Sequence, residues 1–263
     1  MHYAFIQKAY LAGSFVAILC AMLGLFLVLR KLSLIGDGLS HVSFGAVALS
    51  LFFGLYPFWA AIPVVLVASF FILKLTQKAR IYGDAAIGIV SSLGIAGGVI
   101  LASLSRGFNV DLFSYLFGNI LAISTQEVYL SICLSLVVFV CVMLFYNDLF
   151  SVTFDEEYAR ITGIKAERIN LVLVLLTAIT VVLATKVVGI MLVSALLILP
   201  AATSLQIARG FRGAMLISTI SAVSSVLVGT TTSVLLNLPA GATIVMCGLL
   251  FFAIALTVRY LRR

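Results

Sequence analysis

Asp37 and His41 stand four residues apart at the mouth of an apolar stretch, in a chain with two histidines, the other being His2. On a helix, residues four apart share one face, about 6 Å apart along the axis. A carboxylate and an imidazole stacked this way are able to share one divalent metal ion. Placing ionisable groups in or near lipid costs on the order of 2.5–3.5 kcal/mol each at a helix centre. Such a pair needs a reason to be there. Taken alone, Asp37 reads equally as a residue that caps the helix or complements its positive dipole end. The run Leu32-Ser33-Leu34-Ile35-Gly36 before it is largely apolar, which sets Asp37 deeper than a simple boundary residue. His41 is harder to explain by structure alone, because an intramembrane histidine usually faces a cavity or a partner. Two ligands do not complete a metal site, since zinc prefers four and manganese favours more oxygens. A symmetric dimer would supply a second Asp37 and His41.

A second cluster lies at 147–170, where Asp155, Glu156, Glu157, Arg160, Lys165, Glu167 and Arg168 mix charges of both signs. Around Glu157-Tyr158-Ala159 a short amphipathic helix is expected, ended by Gly163. Such a segment is either a solvated loop or a docking helix for a cytoplasmic partner.

The elements that must position these residues follow from composition. Of 263 residues, 63% are hydrophobic and 10% charged, and the mean hydropathy is +1.28. A soluble domain carries about a quarter charged residues. Nine apolar stretches are visible, at 9–29, 35–54, 57–75, 84–104, 127–146, 169–186, 188–207, 214–235 and 241–258. Most reach the roughly 17–25 residues that a spanning helix needs. Backbone groups in lipid must be satisfied internally, so the fold class is all-α, a polytopic membrane helical bundle. Merging 169–186 with 188–207 into one irregular unit would give eight spans instead of nine. Residues 9–29 read as an uncleaved first span, because Arg30 and Lys31 follow the apolar run. Residues 1–263 are expected to form one transmembrane domain, with any nucleotide-hydrolysing part on another polypeptide.

The basic residues orient the bundle. With the N-terminus outside and the C-terminus cytoplasmic, all but Lys8, Arg106 and Lys186 of the 16 basic residues fall on the inner side. The net charge of +7 therefore belongs to the inner membrane face and not to a nucleic-acid site. Tyr56 and Trp59 flank Pro57 at an outer boundary, where aromatic belts form. Asp84, beside the inner end of the fourth span, reads as a cap. Cys20, Cys133, Cys141 and Cys247 lie within apolar spans without a CxxC spacing, and read as small buried hydrophobes. Phosphate loops and HExxH are absent from the sequence. Gly94 and Gly98 form a GxxxG among Ser91, Ser92, Ala96 and Gly97, which favours close helix packing.

Together these residues resemble a family. The run from Leu29 to His41, a basic pair followed by Gly36-Asp37-x-x-x-His41, resembles the permease subunits of bacterial zinc and manganese ABC importers. Val110-Asp111-Leu112 with Tyr115-Leu116-Phe117-Gly118-Asn119 is similar to the family's segment after the fourth span. Glu157-Tyr158-Ala159 with Gly163 is similar to the Glu-Ala-Ala…Gly coupling motif of ABC permeases, with Tyr158 in place of the middle Ala. Leu199-Pro200-Ala201-Ala202-Thr203 resembles a further segment of the same family. The likeness runs over about 9–258.

The resemblance implies a homodimeric permease in the cytoplasmic membrane, with two ATP-hydrolysing subunits beneath and an extracytoplasmic metal-binding protein above. Asp37 and His41 would coordinate the ion in transit. Glu156, Glu157, Ala159 and Gly163 would form the loop that couples to the ATPase. Zinc or manganese would be substrate, with no permanently bound cofactor and no catalysis in this chain. Histidine suits zinc, and Tyr115-Leu116-Phe117-Gly118 looks more like the zinc branch, while manganese tolerates the same pair. A permease for a chelate such as a siderophore or cobalamin would want a wide apolar path without an acid–imidazole pair. An ATP-independent carrier would need more embedded charge. An intramembrane protease would need a metal-hydrolase constellation that one histidine cannot build.

Overall fold

The computed structural model describes residues 3–78, 82–104, 115–118, 120 and 123–261. Eleven helices follow in order among them: α1 (Tyr3–Leu29), α2 (Ile35–Phe52), α3 (Pro57–Lys78), α4 (Gly83–Leu104), α5 (Thr125–Leu144), α6 (Tyr146–Phe154), α7 (Glu156–Ile161), α8 (Ala166–Val188), α9 (Val193–Ile207), α10 (Phe211–Leu236) and α11 (Ala240–Leu261). Among the described residues, nine segments are long and apolar enough to cross a membrane, by length and composition. The protein is an all-α multi-pass membrane bundle.

Helices α1 and α8 form its centre. Each is 72% buried over its most apolar stretch, against 28% for α3, α4 and α11. Phe26, Leu19, Leu23, Leu25 and Leu27 of α1 are enclosed by α5, α8, α9 and α10. The peripheral helices keep apolar outer faces, as a lipid-bounded surface requires. Of the cysteines only Cys20 is buried; Cys133 is exposed and Cys141 and Cys247 are partly so, which corrects the reading of all four as buried. They lie on helix faces that the bundle does not cover.

The choice between eight and nine spans turns on Gly189. Its φ of +87° ends α8, and a 3-10 turn, Ile190–Leu192, leads into α9. A Cβ there would strike the backbone of Phe117 and Gly118, so the break is held by a backbone-to-backbone contact that only glycine permits. The two stretches are separate helices.

The 147–170 region is helical as well. Its first part is α6, whose Tyr146 and Phe150 stack with centroids 6.5 Å apart and pack on Phe211 at the start of α10. Asp155 then caps α7 by accepting from the Tyr158 amide at 2.9 Å. Gly163, at φ +90°, closes α7 with bonds from Gly163 N to Arg160 O and Ile164 N to Ala159 O.

Candidate metal pair and its connections

Helix α2 begins at Ile35, with Leu34 as its N-cap residue and no side-chain cap. Asp37 is therefore inside the first turn and does not cap it. Its charge complements the dipole from within. Ser40 donates to the Asp37 main-chain carbonyl at 2.7 Å. One turn on, His41 Nε2 lies 3.6 Å from Asp37 Oδ2. That is too long for a hydrogen bond, so the two groups converge without being spent on each other. Their side chains are 45% and 25% exposed, on a helix whose other faces are largely covered.

Glycines make that cover possible. A Cβ on Gly94 of α4 would fall 2.7 Å from Val42 Cα and 2.9 Å from the His41 carbonyl oxygen. Gly98 meets the Phe44 ring and Gly45 in the same way. The GxxxG of α4 thus lies backbone to backbone on α2 at the histidine itself. Gly36 and Gly38, on either side of Asp37, admit Leu197 of α9 and Ile87 of α4. The pair is held by packing from two neighbours.

The turn that delivers α2 is equally constrained. Lys31 adopts φ +58°, with Lys31 N bonded to Val28 O and Leu32 N to Leu27 O. This is the Schellman arrangement, with lysine where glycine is usual. Arg30, just before it, folds inward to 11% exposure. One nitrogen, Nη1, donates to Asn170 Oδ1 on α8, and Nη2 donates to Glu156 Oε2 at 3.1 Å. Burial draws the Arg30 guanidinium below its usual range, and the Glu156 charge opposes that. Glu156 also pairs with Arg160 at 2.8 Å.

The four residues expected in the coupling segment separate by role. Ala159 is fully buried and Glu156 faces Arg30, while Glu157 is exposed and Gly163 ends the helix. Tyr158 and Ile161 present 62% and 83% of their surface outward, an apolar face that charge counting missed. Asp37 and His41 come together, but α7 is not part of their site; its Glu156 pairs with Arg30 at the turn that precedes α2.

A third ionic site was not foreseen. Where the start of α5 meets the end of α8, Lys186 Nζ lies 2.6 Å from Glu127 Oε1, and the Glu127 side chain is 5% exposed. Ser124 and Glu127 form a capping box, with reciprocal bonds of 2.8 and 3.2 Å. Lys186 also lies 4.2 Å above the Tyr115 ring. Loss of solvent first, then its hydrogen bond to the same carboxylate and that carboxylate's charge, push the Tyr56 phenol up to about 12. The Ser124-x-x-Glu127 spacing before an apolar run was the sequence signal for the cap. Of the outer segment likened to the family, Tyr115 to Gly118 pack here, whereas Val110, Asp111, Leu112 and Asn119 lie outside the described residues.

The model of the ABC 3 transport family matches residues 2–259. The chain belongs to that family. Among its ABC 3 relatives is the manganese transport system membrane protein MntC of Listeria monocytogenes, 36% identical over 97% of this chain and 91% of that protein. The high-affinity zinc uptake system membrane protein ZnuB of Haemophilus influenzae is 32% identical over 94% and 95%. The structure of PsaBC from Streptococcus pneumoniae in complex with Fab superimposes with a TM-score of 0.86 at 32% identity, covering 96% and 91%. The ABC 3 assignment makes this chain a transport component of an ABC system.

Proposed function

We propose that this chain is the permease subunit of an ATP-driven importer of zinc or manganese, in which Asp37 and His41 coordinate the ion in transit. The observation that carries the proposal is the 3.6 Å between His41 Nε2 and Asp37 Oδ2 on a partly uncovered face of α2. Two ligand atoms each about 2.1 Å from a metal, at a tetrahedral angle, stand about 3.4 Å apart. Neither group is tied to the other by a hydrogen bond. Small movement brings both onto one ion.

Among the described residues, no group of three or more His, Cys, Asp or Glu side chains is placed to hold a metal. The pair is half a site. A second copy related by a two-fold axis would present another Asp37 and His41 and bring the ligand count to four. A site assembled from two chains also opens when the halves part, which suits a transit site that must release its cargo. Residues 1–263 form one transmembrane permease domain on this reading, within the cytoplasmic membrane. The N-terminus is outside and the C-terminus cytoplasmic, supported by the distribution of basic residues. ATPase subunits dock beneath, at the exposed Tyr158 and Ile161 face with Glu157, and an extracytoplasmic metal-binding protein delivers the ion from above. ATP binding and hydrolysis switch the access of the site between the two sides.

The relatives' names include both metals, and one nitrogen and one oxygen ligand per chain suit either. Uptake of labelled zinc and manganese decides, in cells carrying the full transporter with wild-type chain or His41→Ala at matched membrane levels. ATP-dependent uptake of one metal, lost in the variant, supports the proposal and names the ion. Uptake of neither, or unimpaired uptake by the variant, removes it in favour of a chelate permease.

A further inference from the structure

Helix α7 is six residues long and has few anchors. Ala159 is its one buried side chain. Among the described residues, Glu156–Arg30 is the only ion pair that ties α7 to the turn between α1 and α2. At the other end of that bond, Arg30 is the last residue before a turn with little freedom. Leu32 N bonds back to Leu27 O at 2.8 Å, Ile35 N to Leu32 O at 3.1 Å, and Gly38 N to Leu34 O at 3.0 Å. These bonds overlap across the 27–38 segment, and Asp37 is within it. The second arm of Arg30 reaches Asn170 on α8. A single guanidinium thus joins α1, α7 and α8 immediately before the metal pair.

We propose that Arg30 is a positioning residue of the transport cycle, carrying movement of α7 through Glu156 into the α1–α2 turn and so to Asp37. This rests on the reading of the chain as an ATP-driven permease. A mere bolt would hold the fold together in any state. A link has a different consequence: without it, ATP is still hydrolysed but the metal site fails to follow.

The test uses the full transporter, with its ATPase and binding protein, in liposomes loaded for metal uptake. Uptake and ATP hydrolysis are read from the same vesicles for wild type, Arg30→Lys and Glu156→Gln. Lysine keeps the charge, but its single ammonium lacks the planar fork that reaches Asn170 and Glu156 together. Glutamine keeps an acceptor and loses the charge. Expected in both is hydrolysis within about twofold of wild type, with metal moved per ATP lowered about tenfold, as for a coupling position. Uptake and hydrolysis falling in parallel, or both staying at wild-type levels, overturn the proposal. Should Arg30→Lys fail to assemble, Glu156→Gln carries the test, since its side chain is the more exposed partner at 36%. Wild-type vesicles without ATP-dependent uptake would refute the permease reading itself, and the proposal with it.

Discussion

Lys186 and Glu127 meet at 2.6 Å where the end of α8 meets the start of α5, with the carboxylate nearly closed off from solvent. A buried pair of this kind is held by what surrounds it: the Ser124 capping box, the Tyr56 hydroxyl and the Tyr115 ring. Its two desolvated charges gain little net stability together, but either one alone is costly. The pair therefore binds Tyr56, α5, α8 and the Tyr115–Gly118 segment into one unit.

Removing one partner exposes this dependence. Glu127→Ala leaves Lys186 with a partly buried, uncompensated ammonium and lowers stability by up to about 3 kcal/mol, the low end for a fully buried pair. The double variant Glu127→Gln with Lys186→Met recovers most of that. Thermal unfolding in detergent measures both. An unchanged midpoint for the single variant would show the pair to be unimportant.

Asp37→Asn separates metal binding from folding. The side chain is 45% exposed and makes no hydrogen bond to His41, so stability falls only by the roughly 0.3–1 kcal/mol that its charge contributes at the helix start. Metal uptake falls by at least the roughly tenfold that loss of even an outer-shell partner costs. Uptake retained in full by this variant contradicts a ligand role.

Packing at the histidine predicts a contrast within one helix. Gly94→Leu forces atoms onto Val42 Cα and the His41 carbonyl, and overpacking of this kind costs about 1–3 kcal/mol. It also displaces α2, so uptake drops with it. Gly97→Ala on the same helix meets nothing within 4 Å and is tolerated. Equal behaviour of the two variants would mean that the α2–α4 contact does not position the pair.

Lys31 is a lysine in a left-handed conformation, at φ +58°. Lys31→Gly relieves backbone strain of about 1 kcal/mol and raises the unfolding midpoint, with uptake kept. A lowered midpoint would show that the lysine side chain contributes more than its backbone costs.

The spans were legible from hydropathy because lipid imposes one rule on every residue of a crossing helix. The Asp37–His41 pair was legible because a helix fixes which residues share a face. Other features were left open. Of the two local roles open to Asp37, cap or dipole partner, the structure leaves the second, because α2 starts at Ile35 with Leu34 as its N-cap residue. Within 147–170 the sequence points to the short helix around Glu157, while the preceding helix α6 is settled by distant packing, its Tyr146, Phe150 and Phe154 meeting Phe211 across the bundle.

By itself the sequence determined the apolar spanning stretches to within one, the helical end at Gly163 and the i, i+4 spacing of Asp37 and His41. All of these depend on local periodicity, composition or backbone preference. Tertiary structure alone decided that Gly94 lies on His41, that Lys186 pairs with Glu127, and that Arg30 reaches Glu156 and Asn170. Those contacts join residues separated by 53 or more positions in the chain. No local rule specifies them, because they are chosen by which helices pack together and how deeply each charge is buried when they do.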